Sequence, residues 1–395
     1  MARTIVLKEY DYLQIKDNQQ DNYIDEKTFI SLENFILQNE HTQYLKITTK
    51  KEYGKVLQAQ NYCGVIQAKN GTTIEIVPKI SEDTNSDKSK EILLKMLKTL
   101  KKSPFKNINK ANLKSSKLPL LELFISMFLD EVSKLIRKGI KSDYIQKEEN
   151  LKYLKGKLKI NEQIKQNYIH KERFYVEFDE FLNNRVENKL IKTTLEFLYK
   201  KSKSNKNQQL IREFLFVFDD IEISHNIKED FSKVKLTRQM KSYEQVLIWC
   251  RTFLLENSFS PYSGKDVAFA LLFDMNMLFE SYVGHYLKKR GFEVSLQDRG
   301  KYLVDSHNKF ALRPDIKIQV KDKIIIADTK WKKIEKEKDI SQADMYQLFA
   351  YGKKYDEVKK LYIIYPKFMT KQPKLSYKYE DTLPLKIIYF DITKR

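Results

Sequence analysis

Arg313-Pro314-Asp315-Ile316-Lys317-Ile318-Gln319-Val320, then Lys321-Asp322, then Lys323-Ile324-Ile325-Ile326-Ala327-Asp328-Thr329-Lys330-Trp331, is the stretch on which the reading of this chain turns. Apolar and polar residues alternate from Ile316 to Val320, the period of a strand with one buried face. An apolar run then leads to Asp328, and the polar pair between the two runs suits a two-residue hairpin loop. Setting Val320 opposite Lys323 puts Asp315 opposite Asp328 on one face of the sheet. Lys330, two residues further on, shares that face. Opposed carboxylates repel each other, and a divalent cation between them turns that cost into a gain. Lys330 would then orient a water or stabilise charge on a phosphate, which is the chemistry of metal-dependent phosphodiester cleavage.

The flanking segments extend the pattern. Glu280 sits in the amphipathic segment Met277-Leu278-Phe279-Glu280-Ser281-Tyr282-Val283, ahead of the hairpin. Behind it, Gln347 and Tyr351 are four apart and share one helix face. Leu361-Tyr362-Ile363-Ile364-Tyr365-Pro366 then reads as another core strand. Other acid-x-Lys triplets, such as Glu187-Asn188-Lys189 and Glu357-Val358-Lys359, have no apolar strand before them.

Pro314-Asp315 followed by Asp328-x-Lys330 resembles the PD-(D/E)xK nuclease superfamily, and Gln347-x-x-x-Tyr351 resembles the Q-x-x-x-Y pattern of one of its branches. The resemblance implies a restriction-endonuclease-like α/β core at the C-terminal end. It implies a catalytic set of Asp315, Asp328, Lys330, Glu280 and Gln347. Mg²⁺, with Mn²⁺ as a substitute, would be held by Asp315, Asp328, Glu280 and the backbone carbonyl of Thr329. Tyr351 reads as packing. Each residue also has a plainer reading: a turn carboxylate for Asp315, a solvated pair for Asp328 and Lys330, and an exposed helix acid for Glu280.

Composition narrows the choices. The 395 residues suffice for two or three domains, and 42% hydrophobic with 12% aromatic residues suffice for packed cores. No run approaches the ~20 apolar residues of a membrane span, so no membrane association is expected. The first ten residues read as a strand rather than a signal peptide, which makes the cytoplasm the expected location. Cys63 and Cys250 offer no disulfide framework. The five histidines pair with no His or Cys at zinc-ligand spacing. Neither a G-x-S-x-G elbow nor a P-loop is present, so no nucleotide is expected to bind this chain itself. A formal charge of +20, from 73 basic against 53 acidic residues, suits contact with a nucleic-acid backbone.

Along the chain, residues up to about 80 read as β-rich, with strands at Tyr44–Thr48 and Gly64–Ala68. An Asn70-Gly71 turn leads into Thr72–Lys79. Ser81–Lys90 reads as an exposed loop, followed by helices at Glu91–Lys101 and Leu118–Lys138, the second capped by Gly139. Beyond Tyr144 come a strand at Phe174–Asp179, a helix at Val186–Lys201, a charged linker at Lys200–Asn207 and a helix at Ser242–Glu256. The expected division is a β-rich N-terminal docking domain with helices (1–143), a mainly helical middle region (144–264) and a nuclease domain (265–395).

The order of these segments resembles the McrC family, the nuclease subunits of McrBC modification-dependent restriction systems. The carriers are Glu75-Ile76-Val77-Pro78-Lys79, Leu154-Lys155-Gly156-Lys157-Leu158 and Phe178-Asp179-Glu180-Phe181-Leu182-Asn183-Asn184-Arg185, together with the nuclease motif. The resemblance implies a metal-dependent endodeoxyribonuclease acting on double-stranded DNA with modified bases of the 5-methylcytosine type. It also implies an McrB-like AAA+ GTPase ring as partner, whose GTP hydrolysis the subunit stimulates through its N-terminal region. Asp179 and Asn183 read better as helix-capping residues than as catalysts. Two alternatives stand beside this reading: a non-catalytic adaptor that activates a ring NTPase, and a stand-alone nuclease.

Overall fold

The computed structural model describes residues 3–15, 22–38, 43–80, 86–100, 103–107, 118–255, 267–368, 372–379 and 383–393. It is a mixed α/β structure with several sheets. The chain divides into two compact units, one of residues 1–123 with 257–395 and one of residues 124–256. Among the described residues no helix is long and apolar enough to cross a membrane.

The N-terminal part of the first unit carries β1 (Thr4–Lys8), β2 (Tyr12–Leu13), α1 (Glu26–Gln38), β3 (Leu45–Lys50), β4 (Gly54–Ala59), β5 (Tyr62–Ala68) and β6 (Thr73–Val77). The expected Asn70-Gly71 turn joins β5 to β6: Gly71 takes φ +83°, and Asn70 Oδ1 accepts from the Thr72 N–H at 2.9 Å. Then follow α2 (Ser86–Leu97) and α3 (Leu120–Lys138), which ends at Gly139 with φ +85° as expected. Helix α2 corrects the sequence reading, which placed Ser86–Lys90 in an exposed loop. Lys90 is buried, its ammonium 2.7 Å from the buried Glu75 carboxylate. A polar residue whose charge is satisfied inside the fold leaves no apolar signal in the sequence. Residues 81–85 lie outside the described set.

The second unit continues α3 and adds β7 (Asp143–Leu151), β8 (Lys157–Leu158), α4 (Ile160–Asn167) and β9 (Phe174–Leu182), then α5 (Val186–Lys201), α6 (Asn205–Val217), α7 (Ile227–Lys233) and α8 (Lys241–Leu254). Strands β7, β9 and β8 form a three-stranded sheet. Trp249 and Phe253 of α8 stack at 5.4 Å and pack against Phe124 and Phe128 of α3. The glycine of Leu154-Lys155-Gly156-Lys157-Leu158 has φ +71°, and a Cβ there would lie 2.4 Å from the Glu177 carbonyl oxygen, so backbone crowding demands it. Two expectations fail in this unit. Only Ser202–Ser204 separate α5 from α6, so most of the charged linker is helical. Asp179 lies within β9 and Asn183 accepts from the Ser142 hydroxyl, so neither caps α5, whose N-cap is Arg185 with no side-chain cap bond.

The first unit then resumes with β10 (Val267–Asp274), which pairs with β5 and completes a sheet of order β1-β6-β5-β10. The expected boundary at 264/265 lies outside the described residues. Next come α9 (Met275–Lys289), β11 (Glu293–Leu296), β12 (Tyr302–Val304), β13 (Lys309–Ala311), β14 (Ile316–Val320), β15 (Lys323–Thr329), α10 (Gln342–Lys354), β16 (Val358–Pro366), β17 (Ser376–Lys378) and β18 (Pro384–Phe390). Six of these strands form one sheet in the order β11-β14-β15-β16-β18-β17. The β14–β15 hairpin has the expected register, Val320 opposite Lys323 and Ile316 opposite Ala327. Lys321 takes φ +51° in its loop, as a tight right-twisted hairpin requires. β15 runs parallel to β16, and α10 provides the crossover that parallel neighbours need. Ile326, Leu348, Tyr351, Leu361, Ile363 and Tyr365 share one core cluster, which fixes α10 against the sheet.

Candidate active site

Asp328 and Lys330 emerge at the carboxyl end of β15, where open α/β sheets place their ligand sites. Asp315 sits one residue before β14, and its Oδ2 accepts from both the Thr329 N–H at 2.8 Å and the Thr329 hydroxyl at 2.7 Å. These two bonds lock Asp315 against the end of β15. Asp328 is buried, with Oδ2 2.8 Å from the Lys330 ammonium. Its Oδ1 is buried and accepts no hydrogen bond among the described residues. Burial first, and then the charge of Asp315, raise the Asp328 carboxyl to about 7. For Lys330, burial favours the neutral amine, but the neighbouring carboxylates, Asp328 foremost, outweigh it and the pKa is raised.

The two helices supply the rest. Gln347 Oε1 of α10 lies 3.4 Å from the Lys330 ammonium, and its amide donates to the Tyr351 hydroxyl at 2.6 Å. Tyr351 in turn donates to the Arg313 carbonyl at 3.1 Å, which ties α10 to the start of the hairpin. Tyr351 is buried in the core cluster, in keeping with a packing role. Glu280 of α9 reaches the site through an intermediary: the Gln297 amide donates to Glu280 Oε2 at 2.7 Å and to Asp315 Oδ1 at 3.2 Å. The hairpin and α10 thus bring Asp315, Asp328, Lys330 and Gln347 together, whereas Glu280 of α9 is linked to them only through Gln297. For Thr329, the observed contacts come from its N–H and hydroxyl.

Three residues that sequence reasoning passed over also belong here. Asp344, in the first turn of α10, has Oδ1 3.7 Å from the Lys330 ammonium. It lies three residues before Gln347, so helix spacing alone points to it. Gln297 takes φ +51° at the end of β11 and carries no such signal. Asn276 of α9 accepts from the Trp331 N–H at 3.1 Å and so anchors the chain just past Lys330.

The donor set fits a hard divalent cation: two carboxylates at the open end of the hairpin, one with a buried oxygen that accepts no hydrogen bond among the described residues. Among the described residues no three His, Cys, Asp or Glu side chains already converge as a preformed metal cluster, and Glu280 is held at one remove by Gln297.

Residues 57–366 match the family model described as McrBC 5-methylcytosine restriction system component. The chain belongs to this family. Two solved structures from Thermococcus gammatolerans share its fold. One is a half-complex refined from a tetradecameric assembly of McrB AAA+ hexamers with bound McrC. It matches with TM-score 0.74 and 19% identity, over 99% of this chain and 96% of that one. The other is the cryo-EM McrBC complex, with TM-score 0.53 and 20% identity over 72% and 87%. No curated protein matches.

Proposed function

We propose that this chain is the DNA-cleaving subunit of a modification-dependent restriction complex, with a PD-(D/E)xK core that hydrolyses phosphodiesters at Asp315, Asp328 and Lys330. The observation that carries this reading is the buried Oδ1 of Asp328, which accepts no hydrogen bond among the described residues, with Asp315 locked beside the same strand end and Lys330 alongside. A protein keeps such a costly arrangement where a ligand resolves it. Asp315 and Asp328 would hold Mg²⁺, with Glu280 and the Thr329 carbonyl as further donors, and the ion would lower the pKa of a bound water and draw charge from the phosphate. Lys330, kept cationic by its carboxylate neighbours, stabilises the added negative charge as the water oxygen bonds phosphorus and the ester P–O bond breaks. Gln347 and Asp344 hold that ammonium in place.

The partner in this reading is an McrB-like AAA+ GTPase ring, whose GTP hydrolysis the chain stimulates. Support comes from the family assignment and from the fold shared over nearly the full length with McrC bound to McrB hexamers. The test is cleavage of plasmid DNA carrying 5-methylcytosine, with Mg²⁺, with and without such a GTPase and GTP. Cutting that needs the partner and disappears in Asp328→Asn is the expected result. Cutting by the chain alone would make it a stand-alone nuclease. GTPase stimulation without cutting, in wild type and Asp328→Asn alike, would make it an adaptor.

A further inference from the structure

A cavity of about 530 Å³ opens directly beside Lys330, within the first unit. Its walls include Tyr10 and Lys79, which follow β1 and β6, Asn61 before β5, and Trp331 and Phe368 from the nuclease sheet. The volume falls within the roughly 300–1,000 Å³ typical of small-ligand sites. Trp331 and Phe368 meet edge to face at 5.6 Å and 71°, forming a rigid aromatic wall. The Trp331 indole N–H is already committed to Glu9, at 2.9 and 3.1 Å from its two oxygens, which fixes the wall in place.

Tyr10 is the unusual member. Its φ is +67°, a left-handed conformation that side-chain-bearing residues rarely adopt. Two hydrogen bonds hold it there: the Tyr10 N–H donates to the Ala59 carbonyl at 3.2 Å, and the Gln58 amide donates to the Tyr10 carbonyl at 3.1 Å. The residue is nevertheless 45% exposed. Left-handed residues held this way cluster at ligand clamps, and this one lines a cavity beside the candidate site. Lysines outnumber carboxylates around the cavity, Lys79, Lys330, Lys332 and Lys333 against Glu9 and Asp344. Lys332 and Lys333 engage the Asp339 carbonyl and Glu335, whereas Lys79 is exposed and has the Glu9 carboxyl as its charged neighbour.

We propose that this cavity is a nucleotide subsite: it takes one unstacked nucleotide of the cleaved strand, next to the scissile phosphate, with its base against the Tyr10 ring and its phosphate at the Lys79 ammonium. Base–aromatic stacking tolerates any sequence, because every base has a π face, and a lysine supplies charge without reading the base. The subsite rests on the nuclease reading for its place beside the cut. Its own test uses binding and involves no cleavage.

The experiment titrates the full-length protein, in chelator, with a short single-stranded oligodeoxynucleotide carrying one 2-aminopurine, whose fluorescence is quenched on stacking. Saturable quenching by the wild type is expected. Tyr10→Gly should remove the quench and weaken binding about fivefold or more, while Tyr10→Phe retains both. Glycine accepts φ +67° without strain, so the variant keeps the backbone of the wall, and a cooperative thermal melt checks that it is folded. Lys79→Gln should weaken binding and reduce the salt dependence by about 0.7 of a counterion. Wild-type binding and quenching in both Tyr10→Gly and Lys79→Gln would overturn the subsite, as would a wild type that does not quench. Intact quenching in both variants together with lost stimulation of a partner GTPase would overturn it too, assigning the cavity to the partner's footprint. Tyr10-dependent quenching in a protein that never cuts DNA would uphold the subsite and sink the nuclease reading.

Discussion

One ammonium, that of Lys330, is shared among Asp328 at 2.8 Å, Gln347 at 3.4 Å and Asp344 at 3.7 Å. If Asp328 is drawn to a cation, Asp344 is the remaining carboxylate that keeps Lys330 charged and aimed. Asp344→Asn should therefore lower kcat about tenfold, near 1.4 kcal/mol of barrier, and leave KM for DNA unchanged. A merely structural role would lower the melting temperature and move both constants. Unchanged kcat would remove Asp344 from the mechanism. At this scale the legible residues were those whose partners strand or helix period places: Asp315, Asp328 and Lys330 by alternation, Gln347 and Tyr351 by the helical turn. Gln297 was invisible because its role is a bridge between α9 and the hairpin, and no local pattern encodes a bridge.

The elements behave in the same way. The hairpin register followed from alternation and loop length alone, because a one-residue slip would turn Ile316 and Ile318 out of the core. The start of α2 was missed because its first turns bury Ser89 and Lys90 rather than apolar residues. The pairing of β10 with β5 joins segments about 200 residues apart and has no local signature. It does leave a testable mark at Gly64. There φ is +146°, and a Cβ would lie 2.1 Å from the Leu271 backbone oxygen of β10. Neither strand can yield without breaking the ladder, so Gly64→Ala should destabilise the protein by about 3 kcal/mol or more, or prevent its accumulation. Gly352 on α10 is the matched control. A Cβ there meets only side-chain carbons, those of Leu383 at 2.6 Å and Leu361 at 3.1 Å, which can rotate away, so Gly352→Ala should cost about 1 kcal/mol. Thermal melts of the two variants check the contrast, and equal losses would mean that the β5–β10 approach is looser than described.

Across the whole molecule, the bond between Glu9 and Trp331 spans 322 residues of sequence and ties the start of the chain to the residue after Lys330. Nothing in either segment announces the other: a carboxylate after a first strand and a tryptophan just past a strand end are each unremarkable alone. The link nevertheless sets a pH dependence whose sign can be worked out. Burial is the main cause that raises the Glu9 carboxyl from 4.5 to about 7, against the bonds from Trp331 and Lys79 that favour the anion. Between those values the folded state holds a proton that the unfolded chain has lost. This group's contribution therefore lowers stability progressively as pH rises from about 4.5 to about 7, and no further above that. A glutamine in its place would keep an acceptor for the indole and never ionise. Glu9→Gln should match wild type near pH 4.5, gain on it through about pH 7 and hold a constant lead above. Urea unfolding of both proteins across that range measures the gap, and differencing the two curves cancels other titrating groups, Asp328 included. A gap that is flat across the whole range would show that Glu9 is ionised throughout, and that its bonds to Trp331 and Lys79 outweigh its burial.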